Sequence, residues 1–239
     1  QLCSYFYEFN LKDPKVTKAD IRKAIASLVS VTNIVNNEIP AAIPSSYFLP
    51  KAMLNGQDSR WEPVVAEQLL AQNKIDERHP LHLNVLYDDE PLHVNIAQRL
   101  VGQLTQSDML RVDSQPVSWQ TLQMKRQKGD FQVIRSGWCA DFNHPMAFLG
   151  LFYSKSPDNK NGYANAEYDQ LFEQALKSLN EKERSEIYLK LSEKIQQENL
   201  ALPLFQYTTP VYISPTIMGA KKNSVGVIYS KDLWRKVES

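Results

Sequence analysis

The sequence predicts an α/β lobe built on a mixed, largely parallel sheet flanked by helices. Between residues 81 and 136 strand-like and helix-like segments alternate, the pattern that sets parallel strands under crossover helices. The first ten residues read as a strand apolar on both faces, as a fully covered strand requires. Helical segments then dominate from 144 to 199, enough to cover one face of such a sheet.

Each element has its own signal. Tyr5, Tyr7 and Phe9 alternate with Phe6, Glu8 and Asn10, which gives the first strand. Thr17 or Asp20 is placed to cap a helix whose Ile21, Ala24, Ile25 and Leu28 have helical spacing. A short helix follows at 31–38. Pro40, Pro44 and Pro50 make 39–57 a long loop. A helix fits 59–73, with Trp61, Val64, Val65, Leu69 and Leu70 inward. Leu81, Leu83, Val85 and Tyr87 form a strand, and Pro91 opens a helix to about Leu104. Met109 to Val112 is a strand, Ser118 caps a helix through Lys128, and Phe131 to Ser136 is a strand. Helices are expected near 144–153, at 166–177 and at 181–199, the last with Glu181 and Glu183 favouring its dipole. Leu202 to Ser214 and Val225 to Trp234 are strand-prone but broken by Pro210, Pro215 and Gly219.

Composition removes several functions. The 239 residues carry 27 basic and 27 acidic side chains, a balance unsuited to nucleic acid or an anionic surface as main partner. Four scattered His residues lack metal spacing, so no metal or cofactor is expected. No apolar run reaches membrane-spanning length. No G-x-S-x-G elbow or glycine-rich phosphate loop occurs, and Asp88, Asp89 and Glu90 read as an exposed turn. An enzyme is therefore not expected. Cys3 and Cys139 are compatible with two buried thiols or, in an exported protein, with a disulfide.

The most informative stretch is Arg135-Ser-Gly-Trp-Cys-Ala-Asp-Phe-Asn-His-Pro145. It follows an alternating apolar run, so a strand is expected to end there and open into a loop, with Gly137 permitting a tight turn. Trp138 offers a flat apolar wall or plain core, and Asp141 an anion, either for a ligand or for a helix cap or turn. Ligands bind at the carboxyl ends of strands in open α/β sheets.

This run resembles the signature of periplasmic oligopeptide-binding proteins, the extracytoplasmic receptors of peptide-importing ABC transporters. The similarity reaches back to Cys3-Ser-Tyr-Phe-Tyr-Glu-Phe9. It extends forward through Tyr163–Leu176, the helix at 181–199 and Ala201-Leu-Pro-Leu-Phe-Gln-Tyr207 to the last residues, loosest at 39–75. The resemblance implies a lobe of the type II periplasmic-binding-protein kind. Members have two lobes and a longer chain, so this sequence is expected to be a fragment. Residues 1–207 would form the C-terminal lobe, and 208–239 a return segment that packs on a missing N-terminal lobe.

The resemblance also implies residue roles. Cys3 and Cys139 would form a disulfide. Asp141 would hold the ammonium of a bound peptide, since a carboxylate is its natural partner. Arg135, Arg126 and His93 match basic positions that take peptide carboxylates, to which guanidinium groups offer bidentate donors. Trp138, Phe142, Phe6 and Glu8 would line side-chain pockets. The backbone from Ser136 through Cys139 to Asp141 would bind the peptide main chain. Phe6 stands where Tyr is common and His144 where an acid is common. The expected function is peptide capture for an inner-membrane ABC permease, in the periplasm or on a Gram-positive cell surface as a lipoprotein. The alternatives are a relative specialised for murein peptide, haem or cationic peptides, or a structural module that binds no peptide.

Overall fold

The computed structural model describes residues 2–53, 65–208, 211–223 and 226–236. A six-stranded mixed sheet runs in the order β2-β6-β1-β5-β3-β4. Its strands are β1 (Cys3–Phe9), β2 (Ile43–Pro44), β3 (Leu81–Asp88), β4 (Leu110–Val117), β5 (Val133–Cys139) and β6 (Ala201–Gln206). Strands β4, β3 and β5 are parallel, while β1 lies antiparallel to both β5 and β6. The parallel half is the alternating stretch of sequence, since a parallel neighbour is reached through a crossover, here the intervening helices.

Helices cover both faces. On one side lie α1 (Ala19–Ser27), α2 (Val31–Glu38), α3 (Ala66–Gln72) and α4 (Pro91–Leu104). They enclose Tyr5, Tyr7, Phe9, Leu83, Val85, Ile96 and Leu100 in the larger core. On the other side lie α5 (Trp119–Lys128), α6 (Met146–Leu149), α7 (Ala166–Lys177) and α8 (Glu181–Gln197). There Phe6, Phe48, Phe148, Tyr168 and Leu191 pack together, and Leu122 of α5 meets Leu86 and Ile134. Strand β1 feeds both cores, which is why all seven of its residues are buried.

Ser118 caps α5 as expected, and two further helix ends have clear partners. Ser118 accepts from the Thr121 amide, and Asn180 accepts from Lys182 and Glu183 at the head of α8. Gly129, at φ 70°, closes α5 in the left-handed conformation that favours glycine.

Other expectations need correction. Lys18 occupies the cap position of α1 and no side chain caps it, so neither Thr17 nor Asp20 does so. Of the helix expected at 59–73 only Ala66–Gln72 is seen, and Trp61 and Val64 lie outside the described residues. Strand β4 runs on to Val117 because it pairs with the whole of β3. Strand β5 does not open into a loop at Gly137. Gly137, Trp138 and Cys139 continue it, paired with Tyr5, Ser4 and Cys3. The Cys3–Cys139 disulfide joins the two strand ends across this register. Beyond β6 the described residues form two short paired segments, β7 (Ile217–Met218) and β8 (Trp234–Arg235), and an isolated bridge between Lys222 and Ile228, rather than the longer strands expected. Pro210 and Val225 of that tail lie outside the described residues.

Candidate functional site

The carboxyl ends of β3 and β5, the start of α4 and the end of β6 converge at one end of the strands. Asp88 is the last residue of β3 and is buried, not part of an exposed turn. His93 lies in the first turn of α4, so its ring hangs back over that strand end. Its Nδ1 is 2.5 Å from Asp88 Oδ1, and its Nε2 is 2.9 Å from Arg135 Nη2. Arg135 also donates to the Tyr207 hydroxyl at 3.3 Å, and its Nη1 sits 3.4 Å from Asp88 Oδ2. The Tyr5 ring lies under the guanidinium, 4.9 Å from centroid to Cζ, with Trp119 at 5.8 Å.

Burial works against the Arg135 charge. The oxygens of Tyr5, Tyr207 and Asp88 outweigh it and hold the guanidinium pKa above its ordinary value. Burial pushes the Tyr5 hydroxyl well up and raises that of Tyr207, so both stay protonated. Arg135 Nε is buried without a hydrogen-bond partner, and so is Asp88 Oδ2. An unmatched buried donor on a cation is costly unless an acceptor arrives.

The edge of β5 beside this cluster is open. Its ladder with β3 ends at Val133 and Ile134, whereas its ladder with β1 continues to Cys139. On the β3 side, Arg135 to Cys139 have no strand partner among the described residues. Past that edge Asp141 is exposed and makes no hydrogen bond or ion pair with another described residue. It caps no helix, since Pro145 precedes α6. Gly137 needs no special backbone angle. A Cβ there would meet the Ser4 carbonyl and the Tyr207 hydroxyl at 3.5 and 3.6 Å, ordinary contact, so a small side chain would fit.

The remaining candidate residues divide. Phe142 is exposed beside Asp141. Trp138 is half-buried on the second core, and its indole N–H donates to the Ala147 carbonyl at 2.7 Å, which fixes the loop. Phe6 lines no open pocket among the described residues, because its ring is buried 4.8 Å from that of Phe48. Glu8 and Arg126 hold each other: Nε and Nη2 of the arginine reach Glu8 Oε1 at 2.9 and 2.6 Å. A carboxylate in the middle of a buried strand needs such a partner. This end of the strands therefore brings His93 and Arg135 together and leaves Arg126 on Glu8.

Sequence reasoning missed Asp88, Tyr5, Trp119 and Tyr207. The place of Asp88 at the end of a parallel strand was the available signal. Asp88, Glu90 and His93 put ligand atoms within 4.8 Å of one another, a spacing that suits a metal. The Arg135 cation already lies against Asp88, which disfavours a second cation there. A partly enclosed space of about 270 Å³ elsewhere, between the α1–α2 turn, α8 and β6, has no charged lining. It could not meet a zwitterion at its ends.

Comparison with known proteins bears on this geometry. Residues 1–160 match the family described as bacterial extracellular solute-binding proteins, family 5 (middle). The chain belongs to this family. Among family 5 relatives, a Haemophilus influenzae protein described only as a candidate binding protein is 63% identical over 239 residues, covering 100% of this chain and 46% of its own. The periplasmic oligopeptide-binding protein OppA of Salmonella typhimurium is 28% identical over 244 residues, covering 98% and 45%. The solved structure of Haemophilus influenzae OppA in complex with the peptide RPPGFSPFR superposes with a TM-score of 0.83 at 25% identity, covering 98% and 48%. The chain thus spans about half the length of the curated relatives it matches. Its sheet and helices are those of the type II periplasmic-binding proteins in this family.

Proposed function

We propose that this chain is the peptide-binding C-terminal lobe of a periplasmic receptor that captures short peptides and hands them to an ABC permease. The observation that carries the reading is the free edge of β5, with a buried cation at its start and an unpaired carboxylate just past its end. An extended peptide is a strand with a positive and a negative terminus. Strand addition along Arg135–Cys139 would satisfy its main chain whatever its side chains. Asp141 would take its ammonium and Arg135 its carboxylate. At about 3.3 Å per residue, the six steps from Arg135 to Asp141 span roughly 20 Å at most, the scale of a three- to five-residue ligand.

Residues 1–207 make the lobe, and 208–239 return to a second lobe that closes over the same edge. Ligand side chains sit in wet pockets near Trp138 and Phe142, where water adapts the contacts. No bond of the ligand is made or broken. The family and the OppA similarity support this reading, as does the match to a peptide complex. Native mass spectrometry of the full-length protein tests it. Co-purifying peptides, or binding of an added tri- to pentapeptide pool, are expected, and a protein that holds neither overturns it.

A further inference from the structure

We infer that Asp88 is a positioning residue that couples capture of a ligand carboxylate at Arg135 to uptake of one proton by His93. This rests on the reading of Arg135 as a carboxylate-binding group. Arg135 Nη2 lies 2.9 Å from His93 Nε2, and a guanidinium nitrogen can only donate. Nε2 therefore accepts, and the single ring proton sits on Nδ1, aimed at Asp88 Oδ1 2.5 Å away. The other Asp88 oxygen faces Arg135 Nη1 at 3.4 Å. The empty cluster is balanced: one carboxylate, one neutral imidazole, one guanidinium. Each is at least nine-tenths buried.

A ligand carboxylate upsets that balance. Two anions would then share one buried cation, and away from water an uncompensated charge is costly. One proton on His93 Nε2, taken from solvent, removes the excess. The imidazolium donates from Nδ1 to Asp88 and from Nε2 toward the ligand. Arg135, released from the ring, turns its donors to the same carboxylate, the orphaned Nε included.

An imidazole nitrogen is more basic than a carboxylate such as that of Asp88, which His93 faces, and among the described residues the other neighbours do not absorb the change. From β1 comes the Tyr5 ring at 5.6 Å, and from the end of β6 comes Tyr207 through Arg135. Both hydroxyls are already protonated. Glu90 Oε2 lies 3.9 Å from Nδ1 but is largely exposed, so water screens it. The group that α5 places on Arg135 is the uncharged Trp119.

Calorimetry of trialanine with the full-length protein, in phosphate and in Tris at pH 7, counts the protons taken up. C-terminally amidated trialanine has the same amine, so the difference between the two peptides isolates the carboxylate. The free acid is expected to take up more protons than the amide. Its Kd is expected to rise about three- to tenfold from pH 6 to pH 8, within the roughly tenfold per pH unit that one linked proton allows. Asp88→Asn keeps an acceptor for Nδ1 but removes the charge, so the extra uptake should vanish and the pH profile flatten. A merely structural Asp88 would change stability or affinity and leave the uptake in place. His93→Gln, which keeps a neutral acceptor, should also abolish the uptake and serves if the Asp88 variant does not fold. Equal proton uptake by acid and amide, with the amide binding more weakly, overturns the coupling and leaves the carboxylate reading standing. Equal affinity of acid and amide overturns the carboxylate reading itself.

Discussion

Arg22 of α1 closes the carboxyl end of α8 through Glu198, its Nε and Nη2 donating to that carbonyl at 3.1 and 2.6 Å. Nε also reaches the Asn199 carbonyl, and Nη1 donates to the carbonyls of Val16 and Thr17. Asn199 sits at φ 47°, the left-handed cap that ends a helix. One buried cation thus joins two helices that lie on opposite faces of the sheet. Burial lowers its pKa to about 10, which leaves it charged at neutral pH.

Arg22→Met should therefore destabilise the lobe although it adds apolar surface. Four carbonyls would lose a donor, and even partial rescue by water leaves a cost on the order of 3 kcal/mol. Urea melts monitored by circular dichroism would read this as a lower midpoint with the slope unchanged. A midpoint equal to that of the unaltered chain would show the contacts to be dispensable.

Asp141→Asn in the full-length protein is expected to weaken peptide binding by roughly 2–5 kcal/mol, as when one partner of a buried ion pair is removed. The carboxylate is exposed in this lobe, so that magnitude depends on closure of the second lobe over it. An N-acetylated peptide should lose a similar amount with the unaltered protein. Unchanged affinity after acetylation would mean that Asp141 does not hold the amine.

Much of this site was legible as sequence because its groups announce themselves locally. An arginine just after an alternating apolar run and a carboxylate at Asp141 stand out in eleven residues. Pro91 fixes the start of α4 and so places His93. What could not be read is partnership across the sheet. Glu8 and Arg126 are 118 positions apart, and only the pairing of β1 beside β5 brings α5 over that strand. Phe6 reads as a pocket residue only through the resemblance, since the alternation itself makes β1 apolar on both faces. Asp88 looked exposed because three consecutive acids before a proline resemble a turn, whereas the full pairing of β3 with β4 carries the first of them into the sheet. The extension of β5 through Gly137 likewise comes from β1, the strand most distant from it in sequence.

The disulfide gives a third test. Cys3 and Cys139 are 136 residues apart, and closing so long a loop stabilises a fold by about 4–5 kcal/mol at most on the chain-entropy account. Reduction should raise the intact mass by about 2 Da, for two hydrogens, and lower the melting temperature. It should also loosen the end of β5, since Ala140 donates to the Leu2 carbonyl just beyond the bridge. Two thiols freely alkylated in oxidised protein would rule the bridge out.

The chain of 239 residues by itself is expected to fold yet bind peptides weakly or not at all. Folding should survive because residues 2–207 enclose two large cores around β1 without help from the tail. Binding should fail because the free edge of β5 has water on the side where a second lobe would stand. With that wall absent, Asp141 and its ammonium partner meet as an exposed pair, which is worth roughly 0–1 kcal/mol. Arg135 is better shielded, but its acceptor must first be drawn from bulk water. Neither offsets the several kcal/mol lost when a flexible peptide is ordered. The tail leaves apolar side chains uncovered: Tyr212 is 98% exposed and Trp234 58% exposed, and among the described residues β7 and β8 pair only with each other. These side chains should make the isolated chain self-associate at high concentration, a tendency that removal of residues 208–239 would abolish while the melting temperature changed little. Titration calorimetry with a tri- to pentapeptide pool decides the central point. Micromolar or tighter binding by this chain alone would mean that the β5 edge is a complete site without a second lobe.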